Sequence, residues 1–305
     1  MNETETIEPT KEKTAVTPSA EGRGSAVAPQ QAGMAPCPTC GVPAPGAPAA
    51  TNFVYALGRI EPRFPRLSVE KEFAQVTGRE KTTGLTDRQA LHAVLCKREN
   101  RYLARQLCWV LTIEGLETYL LHPRDPADFD LLVEAVRAAP SPMDMDVVVG
   151  VRGPMAPPEM CNGLMVPIVI FDQIYSFDRD SLIKAIPKPE KVAAKEFAAA
   201  AEELLDRILQ MADNAGATDE HRALNYLVVR YHAVHAKAAE CHGENYSLSG
   251  LEVRPSRLSS TRKIVDVIFA YTSRQTDVTE KHFVRVDVAE EFPFLVTKLS
   301  PYYDR

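Results

Sequence analysis

The chain has 305 residues and lacks any apolar run near the roughly 20 residues that a bilayer-spanning helix needs. Its first residues, MNETETIEPTKEK, are polar and no hydrophobic stretch follows them, so no secretory signal is read. A cytoplasmic location and no membrane partner are the expectation. An excess of positive charge is also missing: 35 Lys and Arg stand against 41 Asp and Glu, a net charge of -6. Phosphate binding needs a concentrated positive face, so nucleic acid is not expected as a partner. The common catalytic signatures are absent too. No glycine-rich phosphate loop follows a strand, there is no Gly-x-Ser-x-Gly elbow, and the seven histidines form no His-Glu-x-x-His pair. Asp144 and Asp146 in the segment MDMD read as a solvated turn before a strand, and Asp125 and Asp128 are explained by helix capping. Nothing commits the chain to nucleophilic or general acid–base catalysis. In a cytoplasmic protein the six cysteines are expected as free thiols or metal ligands rather than disulfides.

What is present describes a globular protein with a different kind of leader. Hydrophobic residues make up 45% and charged residues 25%, enough for one large core or two smaller ones. Residues 1–50 are rich in Pro, Ala, Gly, Thr and Glu with no hydrophobic period. Such a segment buries too little apolar surface to offset its ordering entropy, so it reads as a disordered tail. One island, Cys37-Pro38-Thr39-Cys40-Gly41, interrupts it. A folded domain is expected over residues 51–305.

Within that domain Phe53–Ile60 reads as a strand and Leu67–Gln75 as a short helix capped by Ser68. Thr86-Asp87-Arg88-Gln89 is a capping box and opens a second helix. Two strands around Gly115 read as a hairpin, and Asp125-Pro126 starts a helix that stops before Pro140. Val147–Val151 is a strand and Asp178–Ile186 a short helix. Val192–Asp213 carries Phe197, Leu204, Leu205, Ile208 and Met211 at helical spacing. Gly216 closes that helix, and a second runs from Thr218 or Asp219 to about Cys241, giving a long antiparallel pair. Strands return at Leu248–Val253, Lys263–Tyr271 and His282–Val288, before an apolar, aromatic tail from Phe292 to Tyr303. Clustered strands with helices between them and no regular βαβ alternation predict an α+β fold with a mostly antiparallel sheet.

The centre of the chain, Pro154–Phe177, is its most unusual stretch. Three prolines and Cys161-Asn162-Gly163 form an ordered loop, and Leu164–Phe171 reads as a strand buried on both faces. Cys161 stands at the mouth of that strand, either as an anchor or as one more small buried hydrophobe.

From about Asn52 to Arg305 the sequence resembles the C-terminal domain of unknown function of the cyanobactin (patellamide-type) maturation proteases PatA and PatG. The resemblance rests on ALGRIEPRFP (56–65), SVEKEFAQ (68–75), NRYLARQLCWVLTIEGLETYLL (100–121), Gly153–Phe177 and Val265–Arg305. It implies a role in the maturation of ribosomally made, modified peptides, together with a dimer and a bound zinc, but no reaction. The subtilisin-type Asp, His and Ser motifs of those proteases are not visible, and no protease is expected ahead of the domain.

The Cys37–Cys40 spacing has the shape of a zinc knuckle, and tetrahedral zinc needs two further ligands. A redox dithiol and two idle cysteines are the other readings of the same pair. For the remaining ligands Cys161 and Cys241 are chosen, each at an element end beside a glycine turn; His242 substitutes for Cys241. Cys96 and Cys108 read as core. His232 and His235 lie one helical turn apart and read as a half-exposed face. The expectation is therefore a non-catalytic accessory domain with a structural zinc that binds a precursor peptide or a peptide-modifying enzyme. The alternatives are a zinc-dependent enzyme acting on the peptide and a pure dimerisation module. A homodimer is expected, with Phe292, Phe294, Tyr302 and Tyr303 at the contact or folded back into their own core.

Overall fold

The computed structural model describes residues 52–78, 84–186, 194–211, 213–259 and 261–303. The tail with Cys37 and Cys40 lies outside them, as do Pro187 and Pro189. Among the described residues the fold is α+β: eight α-helices, a closed five-stranded barrel and a separate four-stranded sheet.

The barrel is built by β1 (Phe53–Arg63), β2 (Cys108–Ile113), β3 (Leu116–Pro123), β4 (Asp144–Met155) and β5 (Pro167–Asp178), in the order β1-β2-β3-β5-β4. The β2–β3 hairpin turns on Glu114 (φ 50°) and Gly115 (φ 79°). Two successive positive φ values are what a two-residue hairpin loop requires. β5 pairs parallel with β3 and antiparallel with β4, so the β3–β5 seam is the parallel one in an otherwise antiparallel barrel. The buried strand expected at Leu164–Phe171 starts later, at Pro167, and runs on to Asp178. It alternates: Val169 and Phe171 are buried while Ile170 is exposed.

Four helices pack on one side of the barrel: α1 (Leu67–Thr77), α2 (Asp87–Leu95), α3 (Arg101–Gln106) and α4 (Phe129–Val136). The Thr86 capping box forms as expected, with Gln89 N donating to Thr86 Oγ1 at 3.3 Å and Thr86 N donating to Gln89 Oε1 at 3.0 Å. Helix α1 begins at Leu67 as expected, but Ser68 is not its cap: the N-cap residue is Arg66, which makes no side-chain cap bond. Val54, Ala56, Trp109, Leu121, Val148 and Phe171 share one core with Phe73, Leu95, Leu103 and Leu132 of these helices.

The alternate residues of the same strands, Tyr55, Leu57, Val147 and Val149, face a second core. There they meet α6 (Ala194–Leu209), α7 (Asp219–Arg230) and α8 (His232–Gly243), and beyond them the sheet β6 (Tyr246–Pro255), β7 (Ile264–Ser273), β8 (Thr279–Asp287) and β9 (Phe294–Pro301). α5 (Arg179–Ala185) precedes this layer, capped by Asp178. The long second helix expected from residue 218 to 241 is broken at Tyr231 (φ -113°, ψ 87°), and its hydroxyl accepts a hydrogen bond from Leu299 N at 3.0 Å. The α6–α7 connection is fixed to the barrel: Tyr55 N donates to Gly216 O at 2.9 Å, and Asn225 Nδ2 donates to Tyr55 O at 2.8 Å.

Asp144 and Asp146 are not a solvated turn. Both are buried at the start of β4. Arg137, held between α4 and β4, pairs with Asp144 and lies 3.6 Å from Asp146 Oδ1. Asp146 also accepts from Ile60 N (2.8 Å) and Ser176 Oγ (2.6 Å), so each carboxylate has the partners that burial demands.

Candidate functional site

The second sheet has one face in the core and one face outward. Antiparallel register places Arg254, Asp266, Arg285 and Thr297 opposite one another on β6, β7, β8 and β9, and Phe283 lies two residues before Arg285 on that outer face. After β9 the chain turns back, with Tyr302 N donating to Lys281 O at 2.7 Å. Tyr302 then folds over the same face: its ring meets Phe283 edge-on at 5.7 Å, and Arg254 lies over it at 5.2 Å. The result is a groove of 610 Å³ lined by Arg254, Arg257, Asp266, Phe283, Arg285 and Tyr302, with Pro255, Pro301 and Tyr303 at its rim.

Three arginines and one aspartate line this groove, although the chain as a whole is acidic. Asp266 is buried, and Arg285 Nε donates to its Oδ1 at 3.0 Å and to Ser256 Oγ at 3.3 Å. The guanidinium of Arg285 also stands 4.9 Å from the Phe283 ring centre. The groove offers cationic hydrogen-bond donors beside aromatic faces, with no serine, cysteine or histidine in its lining. Such a lining can hydrogen-bond to and stack against a ligand, and it contains no Ser, Cys or His beside a base.

Residues 191–302, which hold the helical layer and the whole second sheet, match the family described as PatG C-terminal. The chain carries a PatG C-terminal-like domain. A solved structure described as "PatG Domain of Unknown Function" shares the fold with a TM-score of 0.68 and 20% identity, over 83% of this chain and 99% of that one. No curated protein matches the sequence.

Of the four cysteines proposed as zinc ligands in this PatG C-terminal-like domain, only Cys161 and Cys241 are among the described residues. Cys37 and Cys40 lie outside those residues. Cys161 is disulfide-bonded to Cys108, with Cα atoms 5.9 Å apart, in a small cluster with Val110, Leu120 and Ala156. This corrects the expectation that all six sulfurs stay free or bind metal. A disulfide sulfur offers no thiolate to an ion. Cys241 is buried in the other core, beside α6 and the second sheet, and burial pushes its thiol up to about 11. Among the described residues no group of three or more His, Cys, Asp or Glu is placed to hold a metal. With Cys37 and Cys40 outside the described residues, no function below is routed through a zinc.

The histidines have structural places. His235 is fully buried rather than half-exposed, its Nε2 bonds Val228 O at 2.8 Å, and burial lowers it to about 4, so the ring is neutral. Cys96 lies at the exposed end of α2, not in the core, whereas Cys108 is buried as expected. Of the aromatic tail, Tyr302 folds onto the sheet, while Phe292, Phe294 and Tyr303 stay largely exposed. No described helix is long and apolar enough to cross a membrane.

The groove was missed because its residues are 48 positions apart at the extremes, Arg254 to Tyr302. The one sequence signal was a charged residue at alternate positions of strongly apolar strands: Asp266 in KIVDVIF and Arg285 in HFVRVDV. A charge inside a strand that is otherwise buried marks either an ion pair or a site.

Proposed function

We propose that this chain is a non-catalytic accessory domain in the maturation of ribosomally synthesised, modified peptides of the cyanobactin kind, and that it binds the precursor peptide in the groove on the second sheet. The observation that supports this is the groove's lining: three arginines and two aromatic rings on the outer face of a sheet whose other face is core. An extended peptide matches such a surface, because its side chains alternate between rings and cations while its backbone stays solvated. The absence of a nucleophile–base pair in the lining favours binding over reaction, and the resemblance to the PatG domain supplies the biosynthetic setting.

Calorimetric titration of the full chain with a synthetic linear cyanobactin precursor peptide tests this, followed by mass spectrometry of the recovered peptide. Saturable binding with an unchanged peptide mass is expected. A changed mass makes the domain an enzyme, and an absence of heat and of competition removes the reading altogether.

A second reading, a dimerisation module, has one specific support. β9 is an edge strand whose Phe294 and Val296 are exposed, with Phe292 exposed just before it. Edge strands with apolar side chains pair readily with another copy. Light scattering of the full chain at micromolar concentration separates the two: a monomer removes this second reading.

A further inference from the structure

The cations of the groove are not equivalent. Arg254 is already engaged: it donates to the Tyr302 hydroxyl, lies over the Tyr302 ring and stands 3.8 Å from Glu252. Arg285 is engaged only through Nε, which donates to Asp266 and Ser256. Its two terminal nitrogens have no acceptor among the described residues. A guanidinium is planar, so fixing Nε against a buried carboxylate, with Phe283 stacked alongside, orients the open fork of two donors. Arg257 is an exposed residue of the groove's lining and makes no hydrogen bond or ion pair with any described residue. Two open cationic groups thus face one cavity, and a pair of parallel N–H donors matches a carboxylate.

We propose that the groove takes a carboxylate, held by the open fork of Arg285 and by Arg257, with the apolar group next to it resting on Phe283 and Tyr302. This rests on the peptide-binding reading above and names the chemistry of the segment recognised: an acidic residue beside an apolar one, or a chain end with a free carboxylate.

The test uses the full chain and three synthetic peptides, followed by heteronuclear NMR titration. These are acetyl-Phe-Glu-Phe-amide, acetyl-Phe-Gln-Phe-amide, and acetyl-Phe-Gln-Phe with a free carboxylate. Arg257→Gln removes an exposed, unpartnered cation, and Arg285→Lys keeps the charge beside Asp266 while deleting the fork. The Glu amide is expected to bind, and the Gln amide about tenfold or more weaker, the scale of a charge-assisted hydrogen bond. Each variant should weaken the Glu peptide by about tenfold and leave the Gln amide unchanged, with the melting temperature of Arg257→Gln equal to the parent's. Recovery of binding by the free-carboxylate Gln peptide assigns the site to chain ends, and no recovery assigns it to acidic side chains. Inorganic phosphate that competes as well as the Glu peptide overturns the carboxylate assignment. Equal binding of all three peptides, or intact binding of the carboxylate-bearing peptides in both folded variants, overturns the inference and leaves the peptide-binding reading in place. No binding of any peptide overturns both.

Discussion

Glu291 should make the protein less stable as pH rises toward neutrality. It lies between β8 and β9, facing Asp172 of β5, and the two carboxyls lie within hydrogen-bonding reach of each other. Asp172 Oδ2 and Glu291 Oε1 are buried, and neither accepts a hydrogen bond from a described donor. Two acceptors bond only when one carries a proton. Burial raises Glu291 first, and the hydrogen bond and charge of Asp172 raise it further. Arg124, 2.7 Å from Asp172 and 3.8 Å from Glu291, and Arg222 of α7 oppose the rise; the net value is about 7 against an ordinary 4.5. The folded state therefore keeps a proton that the unfolded chain releases between about 4.5 and 7. The contribution to stability is complete below 4.5 and is lost as pH rises through 7.

Between about pH 5 and pH 8 such a displacement corresponds to about 2.5 kcal/mol. Arg124 is half exposed and admits water, so about half of that, roughly 1.2 kcal/mol, is expected. Glu291→Gln supplies a permanent donor to Asp172 and removes the titration. His235, lowered to about 4, produces the opposite slope between 4 and 6.5, but it is common to both proteins and cancels in their difference. Urea unfolding of parent and variant at about pH 5 and about pH 8 measures that difference. The variant should gain about 1.2 kcal/mol on its parent between the two conditions. An equal difference at both pH values would refute the proton-sharing pair.

Gly216 has φ +68°, and a Cβ there would overlap the Tyr55 carbonyl oxygen and Ala56 Cα of β1. Gly216→Ala should cost about 3 kcal/mol, the left-handed penalty plus a backbone shift, and thermal melting should fall by roughly 6–12 °C; an unchanged melting temperature counts against the contact. Non-reducing peptide mapping should find Cys108 and Cys161 linked, and Cys161→Ser should lower stability by about 2–4 kcal/mol, because the bond closes a separation of 53 residues. Two free thiols at these positions in the purified protein would show that the bond is not made.

Local features were legible where short-range chemistry decides them. The Thr86 capping box, the turn at Gly115 and the helix from Ala194 all follow from side chains within four residues of one another. The alternation in HFVRVDV identified β8 as half-buried. The tail was read as apolar but not as β9, because its pattern, exposed at Phe294, Val296 and Lys298, depends on which face Tyr226 and Tyr231 cover. Tyr231 broke a helix whose periodicity ran unbroken, since its hydroxyl is fixed to β9, which lies far off in sequence.

The sequence by itself determined that this is an α+β domain with strands at both ends of a helical segment, and the resemblance to the PatG C-terminal domain could be stated from its unusual stretches. Tertiary structure alone decided that β3 and β5 run side by side to close a barrel, that Asp144 and Asp146 meet Arg137 rather than water, and that Cys161 faces Cys108 and not Cys241. It alone set Arg254, Asp266 and Arg285 in one row. The physical reason is common to all four. Helix periods and caps are encoded within a few residues, but cross-strand register is a property of which strands pair, and a shift of one residue would have turned the same arginines into the core.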